Sequence, residues 1–371
     1  MTMLDFSTMI HCDKASPVPL YYQISQQITE AIDKERLPRD TKLPTEHELA
    51  SLLDISRLTA RQAYNHLEKA GYVYKIKSRG TFVCDMKKQK AGNQIALLLF
   101  QITPSSVKIV NGVENALKDS GFNMIVRYLN ASLDAEKEIL HELSGPDIHG
   151  IIACPVVIGG QDNSESYKKL RDAGKKNFLI ERTLSGLKLP YIGFDNFQNG
   201  LDGATHLLEN NTGRFLFLSS ASGASSINEK FEGIKKAFEG YGSEAGKINT
   251  FIVPYHKTGF TGAVEMIEKH LKSQKLPASV FSVMSSLSLA IYKASRNLGL
   301  RIPEDIKILS ADDDDEAFSL LEPPITAFRV PLQEMGEIAA AEMLKYINGN
   351  KLPARKTLLP VELVKRKSCG E

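Results

Sequence analysis

Apolar residues recur every four positions near the amino terminus, which is the spacing of one face of an α-helix. This stripe consists of Leu20, Ile24, Ile28 and Ile32 and predicts a first amphipathic helix. The dipeptide Leu43-Pro44 then interrupts the pattern, and Thr45 with Glu48 has the spacing of a helix-capping box. A second helix is therefore expected to begin just after Thr45.

A third helix is predicted between Ser56, which can cap its first turn, and Gly71, which can end it. On a helical wheel, its core side carries Ala60, Ala63, Tyr64, Leu67 and Ala70. Its other side carries Leu58, Arg61, Gln62, Asn65 and Lys69. Arginine, glutamine and asparagine there can read base edges in a DNA major groove, and Leu58 can touch a thymine methyl. A solvated polar face is the alternative.

Two short β-runs follow the third helix, at residues 72–77 and 81–83, with a turn at Ser78-Arg79-Gly80 between them. This spacing predicts a hairpin. Three helices followed by a hairpin are typical of a winged helix-turn-helix.

A different pattern begins after the polar stretch Cys84–Asn93, which is predicted to be a linker. Downstream, apolar β-runs alternate with helix-length segments, and the runs are Ile95–Phe100, Met124–Leu129, Gly150–Cys154, Asn177–Ile180, Arg214–Leu218, Thr250–Val253, Ser279–Val283 and Ile306–Ser310. This alternation predicts parallel sheets with helices on both faces. About 280 residues exceed one compact sheet domain, so two doubly wound lobes with a cleft are expected.

The predicted organisation is therefore an α/β chain with two domains. Residues 1–83 form a winged helix-turn-helix domain, residues 84–93 form a linker, and residues 94–371 form a two-lobed parallel-sheet domain.

Composition excludes several classes of protein. The chain has 371 residues, of which 42% are hydrophobic and 24% charged, so a mainly disordered chain is excluded. No apolar run approaches the ~20 residues of a membrane span, and Met1–Cys12 lacks the pattern of an export signal. The four cysteines, Cys12, Cys84, Cys154 and Cys369, form no CxxC pair, which argues against a disulfide framework or a zinc ribbon. We expect a cytoplasmic protein.

The net charge of +2 conceals a local excess of basic residues. Residues 55–90 hold nine basic side chains against two acidic ones. Such a surface attracts phosphate backbones, although a solvated charged face is the alternative.

Residues 43–83 closely resemble the DNA-binding domain of the GntR family of bacterial transcription factors. The resemblance is carried by Leu43-Pro44 with its capping box, Ser56-Arg57, Thr59 with Arg61, Gly71 and Gly80-Thr81-Phe82-Val83. It implies that the start of the third helix contacts guanine and phosphates and that the hairpin, or wing, enters the minor groove. In two departures, His47 stands where the family usually has a DNA-contacting arginine, and Ser78 replaces the first glycine of the wing. The expected DNA-binding residues are Thr45, His47, Ser56, Arg57, Leu58, Thr59, Arg61, Lys77, Ser78, Arg79 and Gly80.

Residues 94–369 look like the effector domain of the lactose/galactose repressor family, whose fold is that of periplasmic sugar-binding proteins (type I). The runs Pro323–Pro331 and Leu359–Ser368 carry the most specific part of this resemblance. We call residues 1–83 the head and residues 94–371 the body. A GntR-type head joined to a body of this kind is similar in architecture to the bacterial arabinose repressor class.

The second resemblance implies which residues bind an effector. Asp312 corresponds to an acid that accepts sugar hydroxyls, and an ionised carboxylate is a strong acceptor. Lys230 stands where relatives commonly carry an effector-binding arginine, and it offers a point charge instead of a planar fork. The complete set is Ser105, Ser106, Glu181, Arg182, Lys230, Met284, Ser285 and Asp312. Met284-Ser285 replaces a common Asn-Asp pair, and Glu181-Arg182 replaces the usual Asp-Arg. These differences indicate either an effector unlike the usual hexose or a repacked pocket for a common sugar.

No catalytic residue, metal or cofactor is expected. The run Asp312–Asp315 lacks the glycine and glutamate of a calcium loop, and the histidines form no HExxH pair. The sequence therefore predicts a ligand-responsive bacterial transcription regulator, expected to repress carbohydrate-utilisation genes, which binds operator DNA as a homodimer and responds to a small sugar. Activation stays open. The alternative is a sugar-binding or sugar-processing protein built on the same two-lobed body.

Overall fold

The computed structural model describes residues 6, 9–14, 16, 18–34, 36–38, 40–69, 71–76, 79–84, 93–209, 213–220, 223–242, 247–273, 275–349 and 356–370. The chain divides into two compact units, with the boundary between Asn93 and Gln94. Most of the predicted linker, residues 85–92, lies outside the described residues.

The first unit contains the three predicted helices and the hairpin. They are α1 (Leu20–Asp33), α2 (Glu46–Leu53), α3 (Arg57–Lys69), β1 (Val73–Ile76) and β2 (Gly80–Val83), and the two strands pair antiparallel. The capping box is confirmed, because the Glu48 amide donates to Thr45 Oγ1 at 3.2 Å and the Thr45 amide donates to the Glu48 carboxylate at 2.7 Å. The predicted core sides are also confirmed for the described residues, with Ile24 and Ile28 buried against Ala63, Tyr64 and Leu67. Ala70 of the predicted core side lies outside the described residues.

The second unit consists of two lobes, each built on a six-stranded sheet. In lobe N the sheet order is β13-β7-β6-β5-β3-β4, and the strand pairs are parallel. These strands are β3 (Gln94–Leu99), β4 (Asn123–Tyr128), β5 (Ile148–Ala153), β6 (Lys176–Ile180), β7 (Tyr191–Phe194) and β13 (Thr357–Leu359). Its helices are α4 (Pro104–Leu117), α5 (Leu133–Glu142), α6 (Ser164–Asp172) and α12 (Leu332–Ile347).

In lobe C the sheet order is β14-β12-β11-β10-β8-β9, in which β14 is antiparallel to β12. The strands are β8 (Arg214–Ser219), β9 (Ile248–Ile252), β10 (Ala278–Ser282), β11 (Ile306–Ser310), β12 (Thr326–Arg329) and β14 (Glu362–Val364). Its helices are α7 (Asn196–Glu209), α8 (Ser225–Tyr241), α9 (Tyr255–Lys272), α10 (Ser285–Asn297) and α11 (Asp315–Ser319).

The chain crosses between the lobes three times, after β7, after β12 and after β13. The second crossing returns α12 to lobe N, where it packs tightly against α4. A Cβ atom on Gly112 of α4 would lie 2.1 Å from the backbone oxygen of Gln333, so only glycine permits this approach. Three crossings form a hinge beside the cleft.

All eight predicted strands of the body are present, with ends displaced by at most two residues; β3, for example, ends at Leu99 instead of Phe100. The sequence prediction missed β7, β12, β13 and β14, which are only three or four residues long. In the described part of the chain, every helix is too short or too polar to span a bilayer.

Candidate functional site

A cavity lies between the two lobes at the carboxyl ends of the parallel strands. All eight residues predicted to bind an effector line it: Ser105, Ser106, Glu181, Arg182, Lys230, Met284, Ser285 and Asp312. Lobe N contributes the segments that follow β3 and β6, and lobe C contributes α8, the start of α10 and the loop after β11. The cavity has a volume of about 170 Å³.

Asp312 follows β11 and is held by neighbouring donors. The backbone amide of Ser285, at the start of α10, donates to its carboxylate, and Ser310 Oγ lies 3.4 Å from Asp312 Oδ1. Ser288 in turn donates to Ser310 at 2.7 Å. Burial raises the pKa of Asp312 to about 7, against the opposing effects of Lys230 and the Ser285 amide.

Lys230 projects from α8 into the same space. Its ammonium group donates to Asn196 Oδ1, and Asn196 Nδ2 donates to Glu229 at 3.3 Å. Burial lowers the pKa of Lys230 to about 8, although the negative charges of Asp312 and Glu181 raise it. An acceptor that changes charge near neutral pH therefore lies beside an oriented ammonium donor.

The lobe N side of the cavity carries a second pair of opposite charges. Glu181 adopts a positive φ of 59°, and the Cys154 thiol donates to its carboxylate at 3.1 Å. Burial raises the pKa of Cys154, so this thiol keeps its proton. The guanidinium carbon of Arg182 lies 4.1 Å from the centre of the Phe100 ring, a cation–π contact that fixes the side chain.

Ser106 lines the cavity, but its hydroxyl is used inside lobe N. It accepts from the Thr103 amide at 3.0 Å and donates to the Thr103 carbonyl at 2.7 Å, which caps α4. The other uncharged residues of the predicted set, Ser105, Met284 and Ser285, also line the cavity.

Ten further polar or aromatic lining residues were missed by the sequence prediction: Phe100, Gln101, Thr103, Phe194, Asn196, Ser220, Ser226, Tyr255, His256 and Ser286. Burial lowers the pKa of His256, which favours its neutral form. Asn196 begins α7, two residues after the end of β7. Because β7 is too short to stand out in the sequence, the position of this asparagine at the cavity carried no recognisable signal.

The acidic run after β11 is a salt-bridge site. Arg366 donates to Asp313 at 2.7 Å and to Asp315 at 2.8 Å, and it also donates to the Ile325 carbonyl. The Arg366 guanidinium thus lies between the two carboxylates, where a metal ion would otherwise have to bind. Among the described residues, no group of histidine, cysteine, aspartate or glutamate side chains is arranged to hold a metal.

The start of α3 presents the residues that were predicted to contact DNA. The Arg57 side chain is 76% exposed and Leu58 is 64% exposed, while Arg61 is also exposed. Ser56 caps the helix by accepting from the Thr59 amide at 3.0 Å, and the two hydroxyls lie 2.8 Å apart. The hydroxyls of Ser56 and Thr59 therefore order the end of the helix that carries the arginines.

The other predicted DNA-binding residues that the structure describes lie at α2 and in the hairpin: Thr45, His47, Arg79 and Gly80. Thr45 is engaged in the capping box of α2, and His47 on α2 is exposed. Gly80 has a φ of +121°, and a Cβ atom there would lie 3.0 Å from Lys42 Cε. Arg79 lies in the turn before it. Lys77 and Ser78 lie outside the described residues.

Lys75 of β1 is a neighbour of α3 that the sequence prediction did not include. Its ammonium group lies 2.7 Å from Asn65 Oδ1 and 2.9 Å from the Glu68 carboxylate. This contact joins the hairpin to the outward side of α3 and orients the amide of Asn65.

Both parts of the chain are similar to known protein domains. Residues 20–83 match the profile of bacterial regulatory proteins of the gntR family, and residues 204–369 match the periplasmic binding protein-like domain. Over 341 residues the chain is 28% identical to the arabinose metabolism transcriptional repressor of Geobacillus stearothermophilus, covering 89% of this chain and 92% of the relative.

Two solved structures have the same fold as the body. The transcription regulator CcpA of Lactococcus lactis gives a TM-score of 0.65 at 16% identity, covering 75% of this chain and 99% of that chain. A LacI family transcriptional regulator from Enterococcus faecium with bound ribose gives 0.64 at 20% identity, covering 74% and 98%.

The relatives and solved structures named here are transcription regulators and not enzymes. The chain combines a GntR-type DNA-binding domain with a periplasmic-binding-protein-like domain that has the two-lobed fold of LacI-family regulators. The predicted fold class and the predicted combination of domains are thereby confirmed.

Proposed function

We propose that this protein represses carbohydrate-utilisation genes, binds operator DNA as a homodimer through α3 and its wing, and releases DNA when a small carbohydrate binds between the lobes. The observation that carries the proposal is the convergence of eight sequence-predicted residues on one interlobe cavity. A ligand that contacts both lobes binds the closed form more tightly than the open form, and only such a difference can shift the equilibrium.

The chemistry of the cavity suits a polyhydroxylated ligand. Asp312 offers a carboxylate acceptor, Lys230 offers ammonium donors, and Asn196, Ser220 and Ser226 offer shorter polar groups. The relative from Geobacillus stearothermophilus is named for arabinose metabolism, and the Enterococcus faecium structure contains ribose. Both names favour a pentose as the first ligand to test.

The geometry of α3 supports the DNA-binding half of the proposal. Exposed arginines near a capped helix start can form bidentate contacts with guanine, and the helix N-terminus favours phosphate. Two copies on two-fold-related DNA double these contacts and fix the spacing of the half-sites.

Thermal unfolding of the full chain in the presence of arabinose, ribose and glucose tests the effector. A true ligand at 100 times its Kd should add about 2.7 kcal/mol of stability. Asp312→Asn should lose about half to nine-tenths of this stabilisation at the same sugar concentration. Asp314→Asn is the matched control, because Asp314 lies in the same loop outside the cavity and asparagine still caps α11. The effector proposal is rejected if none of the sugars stabilises the wild type.

Selection of binding sites from random duplex DNA tests the operator. The full chain should enrich a motif with two half-sites, and Arg57→Ala should enrich none. Lys34→Ala is the control, because it removes one positive charge at the end of α1, where Lys34 pairs with Glu30. Equal enrichment by wild type and Arg57→Ala would remove Arg57 from the DNA interface.

A further inference from the structure

Lobe N presents a tight turn between β5 and α6. The Ile158 amide donates to the Gln161 carbonyl at 3.1 Å, and the Gln161 amide donates back to the Ile158 carbonyl at 3.0 Å. The tip of the turn is Gly159-Gly160, with φ values of +59° and +78°. Such a two-residue tip needs both residues in the left-handed region, which glycine supplies without strain.

Lobe C meets this tip with a glycine of its own. Gly223 lies between β8 and α8 and has a φ of +95°. A Cβ atom on Gly223 would lie 2.3 Å from the Gly160 nitrogen and 2.8 Å from the Gly160 Cα. The backbones of the two lobes therefore touch where no side chain intervenes. Neither glycine belongs to the described lining of the effector cavity.

A hydrogen bond joins the lobes beside this contact. The Thr183 amide, in the segment after β6, donates to Ser225 Oγ at the start of α8, over 2.9 Å. Asp162 ties the segment to the glycine turn, because its carboxylate accepts from the Ser185 amide at 2.7 Å. The lobe N side is thus one connected surface.

This surface is also anchored to the interior of lobe N. The fully buried Glu136 carboxylate accepts from the Val156 amide at 3.1 Å and from Asn163 Nδ2 at 2.7 Å, at the two ends of the turn segment. Tyr167 donates to the same carboxylate at 2.8 Å. Because the segment between Val156 and Asn163 is held at both ends, a contact with lobe C acts on lobe N as a whole and does not merely displace the turn.

We propose that Gly160, Gly223, Thr183 and Ser225 form an interlobe clasp that stabilises the closed form of the two lobes and that sets the effector affinity without touching the effector. Apparent effector affinity scales with the fraction of the protein in the binding-competent form, so contacts that stabilise the closed form raise that affinity. The clasp residues are positioning residues, and their effect on effector binding rests on the proposed function. The contact between the lobes does not depend on that function, because it is observed directly.

Gly223→Ala and its control Gly299→Ala distinguish loss of the clasp from the backbone strain that alanine causes at a positive φ. Gly223→Ala places a methyl group into the backbone of Gly160 and also strains a positive φ. Gly299→Ala, in lobe C after α10, strains a φ of +71° where no described neighbouring atom lies within 4 Å of the new Cβ. Ser225→Ala is the milder second variant, because it removes only the acceptor of the Thr183 amide.

Hydrogen exchange of the full chain without ligand, read by mass spectrometry, tests the clasp directly. Residues 156–163 and 182–187 of lobe N should exchange faster in Gly223→Ala, although the change lies in lobe C, and Gly299→Ala should match wild type. Unchanged exchange in both Gly223→Ala and Ser225→Ala would overturn the clasp, as would an equal increase in Gly299→Ala.

Titration with arabinose and ribose gives the functional readout. The sugar that binds wild type should bind about two- to tenfold more weakly to Ser225→Ala, because that is the change in affinity expected from the loss of one hydrogen bond. It should bind more weakly still to Gly223→Ala. Wild-type affinity in both variants would overturn the clasp. If neither sugar binds wild type, the proposed effector fails, and the exchange experiment still decides on the clasp.

Discussion

Protonation of Asp312 should control effector affinity below neutral pH. An exposed aspartate titrates near ~4, whereas burial raises the pKa of Asp312 to about 7. The ionised carboxylate is the strong acceptor for a ligand hydroxyl, and the protonated form loses the charge that strengthens this hydrogen bond. Affinity should therefore fall as the pH is lowered through about 7.

The magnitude follows from the ionised fraction. With a pKa of about 7, half of Asp312 is ionised at neutral pH. At a pH one and a half units lower, only about 3% is ionised, so affinity should fall by a factor of about 15 if only this form binds. Lys230, with a pKa of about 8, stays protonated over most of this range.

Calorimetric titration of the effector into wild type, Asp312→Asn and Asp314→Asn between about pH 5.5 and 7 measures this slope. Asp312→Asn should bind about 10- to 150-fold more weakly at neutral pH, since a hydrogen bond to a charged group contributes about 1.5–3 kcal/mol, and it should show no slope. Asp314→Asn should follow wild type. A flat wild-type profile, or an unchanged slope in Asp312→Asn, would refute the role of this carboxylate.

Three further changes test other parts of the molecule. Arg57→Ala should weaken specific DNA binding by about 1–3 kcal/mol, measured by fluorescence anisotropy at fixed salt, and wild-type affinity would contradict a base contact. Tyr64→Phe removes a buried hydroxyl that donates to a backbone carbonyl at 2.6 Å, so denaturant unfolding of the head should show a loss of about 1 kcal/mol. Gly112→Ala forces α4 away from α12 and should lower the stability of the body by about 1–3 kcal/mol, whereas Gly145→Ala, with its nearest neighbour at 3.9 Å, should not. Equal stability of these two glycine variants would contradict the packing argument.

The head could be predicted from sequence because its signals are local. The capping box of α2 and the core stripe of α3 depend on residues three or four positions apart, and the structure confirms both. The eight longer strands of the body were predicted for the same reason. The strands β7, β12, β13 and β14 were missed because three or four residues leave too little pattern.

The cavity was predictable only in part. The resemblance to a known effector domain pointed to eight positions, and tertiary structure brings all of them to one space. Asn196 was missed because its importance arises from Lys230, which lies 34 positions further along the chain and reaches it only because α8 packs against α7. The close contact of Gly223 with Gly160 has the same origin, since no periodicity pairs two glycines from different lobes.

The central claim is that a carbohydrate in the interlobe cavity weakens DNA binding, and one measurement tests it most directly. Operator affinity is measured by anisotropy of a labelled duplex titrated with the full chain at increasing sugar concentrations, for wild type and Asp312→Asn. We expect sugar to weaken DNA binding by wild type, and we expect Asp312→Asn to bind the operator like unliganded wild type and to need about 10- to 150-fold more sugar for the same loss of affinity. Sugar that binds wild type and leaves its operator affinity unchanged would contradict the account.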